Sequence, residues 1–333
     1  MNDLSVFLPI QPMDPAPMRQ FARDALSVDA DRLWCGQSLA VETQDVFAYL
    51  SGLGYAMPFG SGVELMPLRH PFHAAASARS TAILSGRTHV MGLGTGGLSF
   101  RRSVGVTPSS PLGYTRDYVT AVRALLDGRP WQFGDEKLPA ALPPVVGHVP
   151  RVEVGIGVLG ARMAEVAGAV ADRAITWLAP LPYLDDVIMP TLAAAGGSAR
   201  TTAIVHCAVD RAGADPVDRV LSVVGQHLRA PHYLRMLRQA GIGGDAADPR
   251  GNAQRVLDAG VYLTGEPEQI AAGIGAYWDA GVDEVVVNVG GVYAHSGAAA
   301  ASEDLRSIFA AVRDLRGWDA PRVAGATAVD VAA

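Results

Sequence analysis

Short runs of β-forming residues alternate with helix-like stretches along nearly the whole chain, and this alternation constrains the fold more than any other feature. The runs are Val6–Pro9, Arg32–Gly36, Val63–Met66, Thr88–Gly94, Val152–Ile156, Ala174–Leu178, Thr202–Ala208 and Asp283–Asn288. Between them lie stretches that read as helix: 18–26, 43–53 (with the Thr43 hydroxyl as its cap), 71–84, 113–126, 161–171, 184–195, 216–229, 231–240, 267–280 and 302–315. Strand–helix alternation of this kind builds a parallel sheet covered by helices. Eight strands, each followed by helix, predict an α/β chain folded as a (β/α)8 TIM barrel with insertions. A doubly wound sheet would need Gly-x-Gly-x-x-Gly just after the first strand. The loop there, Ile10-Gln11-Pro12-Met13-Asp14-Pro15, contains no glycine. The irregular stretches 128–150 and 241–259 carry no readable motif and are expected to shape substrate choice. Residues 1–318 are expected to form one barrel domain, followed by a flexible tail over 319–333.

Composition removes several classes of function. A formal charge of -6 at pH 7 offers no basic field to neutralise phosphates, so no nucleic-acid partner is expected. Cys35 and Cys207 are the only cysteines, too few for a disulfide framework or a thiolate metal site. The eight histidines show no His-Glu-x-x-His pattern, and no metal centre is expected. Charges and prolines break every long apolar stretch, so no span of a bilayer is expected. The start, Met1-Asn2-Asp3-Leu4, lacks a cationic leader ahead of an apolar block. A cytoplasmic location is the expectation.

In a barrel the chemistry sits at the carboxyl ends of the strands. Two of those ends are glycine-rich: Gly94-Thr95-Gly96-Gly97 and Gly157-Val158-Leu159-Gly160. Glycine lets backbone amides approach an anion, and a helix amino end adds positive potential. The turn from Gly157 to Arg162 is the better phosphate cradle, because a helix begins at once with Ala161-Arg162-Met163-Ala164. Arg162 either adds charge there or is a solvated first-turn residue, and tight barrel turns need glycine in any case. His206 lies within a strand and reads as a satisfied core histidine; Cys35 reads as a small buried filler. No nucleophile elbow or Walker loop is present, so a redox cofactor would supply the chemistry that the side chains do not.

Several ordered fragments then resemble the bacterial-luciferase-like superfamily of flavin- and deazaflavin-dependent oxidoreductases. They are Leu33-Trp34-Cys35-Gly36-Gln37, Pro67-Leu68-Arg69-His70-Pro71, Ser85-Gly86-Arg87 with Met91-Gly92-Leu93-Gly94-Thr95-Gly96, Leu159-Gly160-Ala161-Arg162-Met163, Thr264-Gly265-Glu266-Pro267 and Tyr277-Trp278-Asp279-Ala280-Gly281. The resemblance implies a cofactor phosphate at the loop from Val158 to Arg162, with Thr176 and Trp177 on the phosphate or ribityl side. It places the cofactor ring against Met66, Gly94 and Thr95. The stretch with His232 and Tyr233 resembles one that walls the substrate space, and Tyr114 either faces the same cavity or packs on its helix. Where bacterial luciferases and several deazaflavin enzymes carry a histidine at the second strand's end, this chain has Gln37, which orients a group but does not titrate near pH 7. Ala82 stands near a position where the family commonly has an aspartate.

The branch resembled most is the deazaflavin one. It implies hydride transfer between coenzyme F-420 and a small organic substrate, most simply reduction of a C=C, C=N or carbonyl bond, with Gln37 or Tyr114 as orienting catalytic groups. The alternatives are an FMN-dependent monooxygenase using reduced flavin and O2, and a cofactor-binding barrel without catalysis. Expected partners are a small-molecule substrate, a flavin or F-420 reductase and a second copy in a homodimer.

Overall fold

Eight parallel strands alternate with helices in the computed structural model, which describes residues 2–318 apart from 12, 135, 139 and 140. They are β1 (Asp3–Phe7), β2 (Leu33–Cys35), β3 (Phe59–Ser61), β4 (His89–Gly94), β5 (Val152–Gly157), β6 (Arg173–Trp177), β7 (Arg200–Val209) and β8 (Glu284–Asn288). This is the (β/α)8 barrel class expected from the sequence. The tail expected over 319–333 lies outside the described residues. No helix among the described residues is long and apolar enough to cross a membrane.

The chain divides into two compact units. Among the described residues the first holds those up to Leu33, Thr176–Pro190 and Thr201–Trp318. In it β8 is flanked by β1, with Leu4 opposite Val285, and by β7, with Ile204 opposite Val286. Val285, Val286 and Val287 are all buried, as expected of a parallel strand covered on both faces. At the start of β8 the buried Glu284 carboxylate accepts a hydrogen bond from Ser5 Oγ at 2.5 Å and faces Arg32 Nε at 3.6 Å. The strand Tyr262–Gly265 extends this sheet, setting Tyr262 opposite His206.

The second unit comprises Trp34–Ile175 and Thr191–Arg200. Here β4 pairs with β3 and with β5, and β5 pairs with β6. Asp172, just before β6, accepts from the Val154 amide at 2.8 Å and meets Arg123 and Arg151 at 3.2 and 3.0 Å. The stretch 128–150 contains a two-stranded hairpin, Trp131–Phe133 with Glu136–Leu138.

Proline marks the helix starts. Among the described residues seven helices begin on one: Pro15, Pro71, Pro111, Pro216, Pro231, Pro249 and Pro267. Its missing amide is one of the donors a helix start leaves unbonded anyway, and its φ is already helical. The preceding Asp14, Ser110, Asp215 and Asp248 each cap through a side-chain oxygen. Replacing Asp248 by alanine removes the acceptor of the Gly251 amide and is expected to cost about 1 kcal/mol in urea unfolding at pH 7. An unchanged midpoint would show that the cap contributes nothing.

Six elements differ from those expected from the sequence. The third strand is Phe59–Ser61, ahead of the expected Val63–Met66; of the latter only Glu64 and Leu65 pair with β4. A Cβ on Gly60 would stand 2.6 Å from the Trp34 indole, so packing demands a glycine that hides the strand. Thr43 is the first helical residue, not the cap; its hydroxyl donates to Gly36 O at 3.3 Å, and the helix runs Thr43–Gly52 behind Glu42. Helices Leu98–Ser103 and Pro249–Asp258 and the strand Tyr262–Gly265 were not expected. The last helix starts earlier, at Gly290, and is kinked at Gly297.

Candidate functional site

In the second unit a buried polar network is built at the ends of β2 and β3. The Gly62 amide donates to Cys35 O at 3.0 Å and the Gln37 amide to Val63 O at 3.3 Å, which fixes Gln37 just past β2. Arg69 follows the short turn Met66–Leu68. Its Nη2 donates to Gln37 Oε1 at 2.9 Å and to Glu42 at 2.6 Å, while Nη1 pairs with the fully buried Glu64. Gln37 Nε2 donates to Ser38 O at 2.8 Å and approaches Glu42 at 3.5 Å. The Gln37 amide is thus held at both ends, oriented and without a proton to exchange near neutrality.

Glu64 continues the network inward. It accepts from Gln44 Nε2, whose carbonyl accepts from Thr81 Oγ1. Gln44 Nε2 also lies 3.1 Å from His89 Nε2, and His89 Nδ1 lies 3.1 Å from Phe59 O. A neutral His89 with its proton on Nδ1 satisfies every one of these contacts. The network explains why Gln44, Thr81 and His89 are buried polar residues: each is paired.

Tyr114 does not join Gln37 directly. Its ring packs against Tyr118 at 5.9 Å and Phe133 at 5.7 Å, and burial pushes its phenol up. The link is indirect: Tyr118 OH donates to Arg69 O at 2.9 Å, and Arg69 holds Gln37. His70, which caps its helix by accepting from the Phe72 amide, stands edge-on to Trp131 of the hairpin at 5.4 Å. Cys35 is buried, and burial raises its thiol to about 12.

Of the residues expected beneath a cofactor ring, Met66 is fully buried, whereas Gly94 and Thr95 are half-buried. Val63, which the sequence reading had placed in a strand, stands against two glycines. A Cβ on Gly94 would lie 2.6 Å from its Cγ2 and one on Gly157 3.3 Å from its Cγ1. Val63 is therefore the side chain these glycine-ended strands accommodate. In the glycine loop the Val158 amide donates to Ile175 O at 2.7 Å and is engaged in the sheet. Leu159 is half-buried, and Gly160 caps the helix Ala161–Val170 without a side-chain bond. The Met163 and Ala164 amides both donate to Gly160 O at 3.0 Å, so the helix start offers at most the amides of Ala161 and Arg162, with the exposed Arg162 side chain beside them.

A second group of residues lies within the first unit. Trp177 ends β6; it stands edge-on to Phe7 at 5.4 Å and to His206 at 4.6 Å, and tilted to His227 at 5.6 Å. His206 stacks on Tyr262 at 5.8 Å. His227 meets Tyr233 edge-on at 4.9 Å, and Tyr233 meets the exposed His232 at 4.8 Å. Burial, then His227, lowers His206 to about 3; burial, then His232, lowers His227 to about 4. Both imidazoles are neutral at pH 7. The buried Thr176 donates its hydroxyl to Thr202 O at 3.4 Å. His206 is buried as expected but not satisfied: neither ring nitrogen has a hydrogen-bond partner among the described residues. His227 was not singled out from the sequence, because it sits in a short 3-10 turn, His227–Arg229, read there as continuous helix. Among the described residues no group of three or more His, Cys, Asp or Glu is arranged to hold a metal ion.

Comparison with known proteins follows this geometry. The family described as luciferase-like monooxygenase matches residues 3–284. The 5,10-methylenetetrahydromethanopterin reductase of Methanolobus tindarius is 27% identical over 172 residues, 48% of this chain and 50% of that protein; the chain spans about half the length of the curated relative it matches. The coenzyme F-420-dependent tetrahydromethanopterin reductase of Methanopyrus kandleri superposes with a TM-score of 0.75 at 15% identity, covering 94% of this chain and 99% of that one. The oxygenating constituent of 3,6-diketocamphane monooxygenase from Pseudomonas putida, solved with FMN, gives 0.66 at 16% identity over 94% and 98%. At these identities the shared property is the barrel fold.

Proposed function

Because the chain belongs to the luciferase-like monooxygenase family of oxidoreductases, we propose that it transfers a hydride between coenzyme F-420 and a small organic substrate. When bound, a deazaflavin supplies or accepts the hydride, which leaves the protein to bind, orient and exclude water. The observation that supports this reading is the fixing of Gln37 in one orientation. With its amide held by Arg69 on one side and Ser38 O on the other, the strand-two end is a fixed neutral group that orients but does not titrate.

The glycine loop fits a cofactor phosphate. A ten-residue helix opens at Gly160 without a side-chain cap, and Arg162 in its first turn is exposed. In this reading Leu159, Gly160 and Arg162 hold the phosphate, and Val158 packs behind them. Gly157, Met66, Gly94 and Thr95 belong to the ring side, and Thr176 and Trp177 to the ribityl side. His232 and Tyr233 touch substrate. A cytoplasmic homodimer served by a separate F-420 reductase completes the proposal.

Fluorescence quenching with F-420 and FMN, each oxidised and reduced, tests it. F-420 is expected to bind and FMN not, and Arg162→Glu is expected to weaken F-420 about tenfold, as losing one charge-assisted contact would. Tight FMN binding with oxygen uptake from reduced flavin would make the protein a monooxygenase. Cofactor binding without turnover of any ketone, imine or activated alkene would make it a non-catalytic barrel.

A further inference from the structure

Among the side-chain polar atoms of the first unit that are buried with no hydrogen-bond partner among the described residues, five sit on one group of rings: Trp177 Nε1, His206 Nδ1 and Nε2, His227 Nδ1 and Tyr262 OH. They belong to rings in mutual contact, since Trp177 touches both histidines and His206 stacks on Tyr262. Each buried polar atom left unbonded costs on the order of 1–3 kcal/mol. Packing does not require them; phenylalanine fills the space of a buried imidazole without that penalty. His206 is the clearest case, fully buried in the middle of β7 with both nitrogens unmatched.

The chemistry of the set narrows what would satisfy it. Trp177 Nε1 is a donor only, whereas each neutral imidazole offers one donor and one acceptor. No carboxylate or cationic side chain is among the four rings. The buried Arg219 and Asp304 act on Tyr262, whereas His206 and His227 feel only burial and neighbouring imidazoles. At Trp177 and the two histidines a ligand carboxylate would find no counter-charge, and a hydrocarbon would leave the atoms as they are. A carbonyl oxygen accepts from Trp177 and an imidazole N–H. A hydroxyl accepts from the same donors and gives its own proton to an imidazole nitrogen. The set can therefore hold both members of a carbonyl–alcohol pair with no change in its charge.

We propose that Trp177, His206 and His227 form a subsite for the neutral oxygen of a ketone or aldehyde and of the corresponding alcohol. This rests on the hydride-transfer reading above and names its substrate class. The polar atoms are buried, Trp177 and His227 are themselves half-buried, and Tyr233 stands edge-on to His227.

The test uses the full chain without cofactor, so that its result is independent of the hydride-transfer reading. Imidazole 15N resonances are followed while cyclohexanone, cyclohexanol, cyclohexene or cyclohexanecarboxylate is added. The ketone and the alcohol are expected to move two histidine signals, which His206→Phe and His227→Phe assign by their loss. The alkene and the carboxylate are expected to leave both in place. Each variant is expected to weaken ketone binding at least tenfold while F-420 affinity stays within twofold of the parent. If His206→Phe does not fold, His227→Phe carries the same test. Silent histidines with ketone and alcohol, or carboxylate binding as tightly as ketone, would overturn the subsite. F-420 failing to bind while the ketone still moves both signals would sink the cofactor assignment and leave the subsite standing.

Discussion

Replacing Arg69 by methionine is expected to destabilise the protein by about 3–5 kcal/mol, because it leaves the Glu64 carboxylate buried without its cation. The Arg69 side chain is itself only 6% exposed, so little solvent screens the pair. The pair need not add net stability over an apolar replacement, since desolvating two charges offsets most of their attraction. What costs energy is breaking one half of it. A double replacement, Arg69→Met with Glu64→Leu, is therefore expected to recover part of the loss, limited by the one Gln44 N–H then left unbonded while the other still meets His89. Guanidinium unfolding of the two variants at pH 7 measures both quantities. A single variant within 1 kcal/mol of the parent would mean that Glu64 is protonated or reaches water. The same substitution releases Gln37 Oε1, so it also links stability to the orienting group of the proposed site.

How far the sequence alone reached follows from what kind of information each feature carries. Val285-Val286-Val287 and the glycine-ended strands are periodic and local, and the barrel class could be read from them. Phe59-Gly60-Ser61 could not, because Gly60 answers to Trp34 across the sheet rather than to any β preference. Tyr262–Gly265 is four residues long between glycines, and the helix Pro249–Asp258 before it is mostly polar, so neither shows a clean period. Gln37 was visible as the residue after a strand. Its partner Arg69 lies 32 positions away, and no spacing rule connects them. Val63 reads from the sequence only as the start of the run Val63–Met66, and nothing local shows its place against Gly94 and Gly157. For His206 the pattern disclosed burial and nothing about partners; only coordinates show two nitrogens with none.

Acid should expose those histidines thermodynamically. Burial, with a neighbouring imidazole in each case, lowers His206 to about 3 and His227 to about 4, from an ordinary 6.5. Below pH 6.5 the unfolded chain binds protons that the folded chain refuses, so the folded state is penalised. The contribution is fully present above pH 6.5 and is lost progressively as pH falls towards 4 for His227 and 3 for His206. Between pH 6.5 and 5 the loss is about 1.5 kcal/mol per histidine, or roughly 3 kcal/mol for the two together. Urea unfolding at pH 7.5, 6 and 5 is expected to show this fall in the parent protein and about half of it in His206→Phe. The variant is expected to be no less stable than the parent at pH 5, since it neither titrates there nor leaves imidazole nitrogens unbonded. Equal pH slopes in parent and variant would mean that His206 meets water or a partner in solution, and the case for an unmet polar set around Trp177 would then be lost with it.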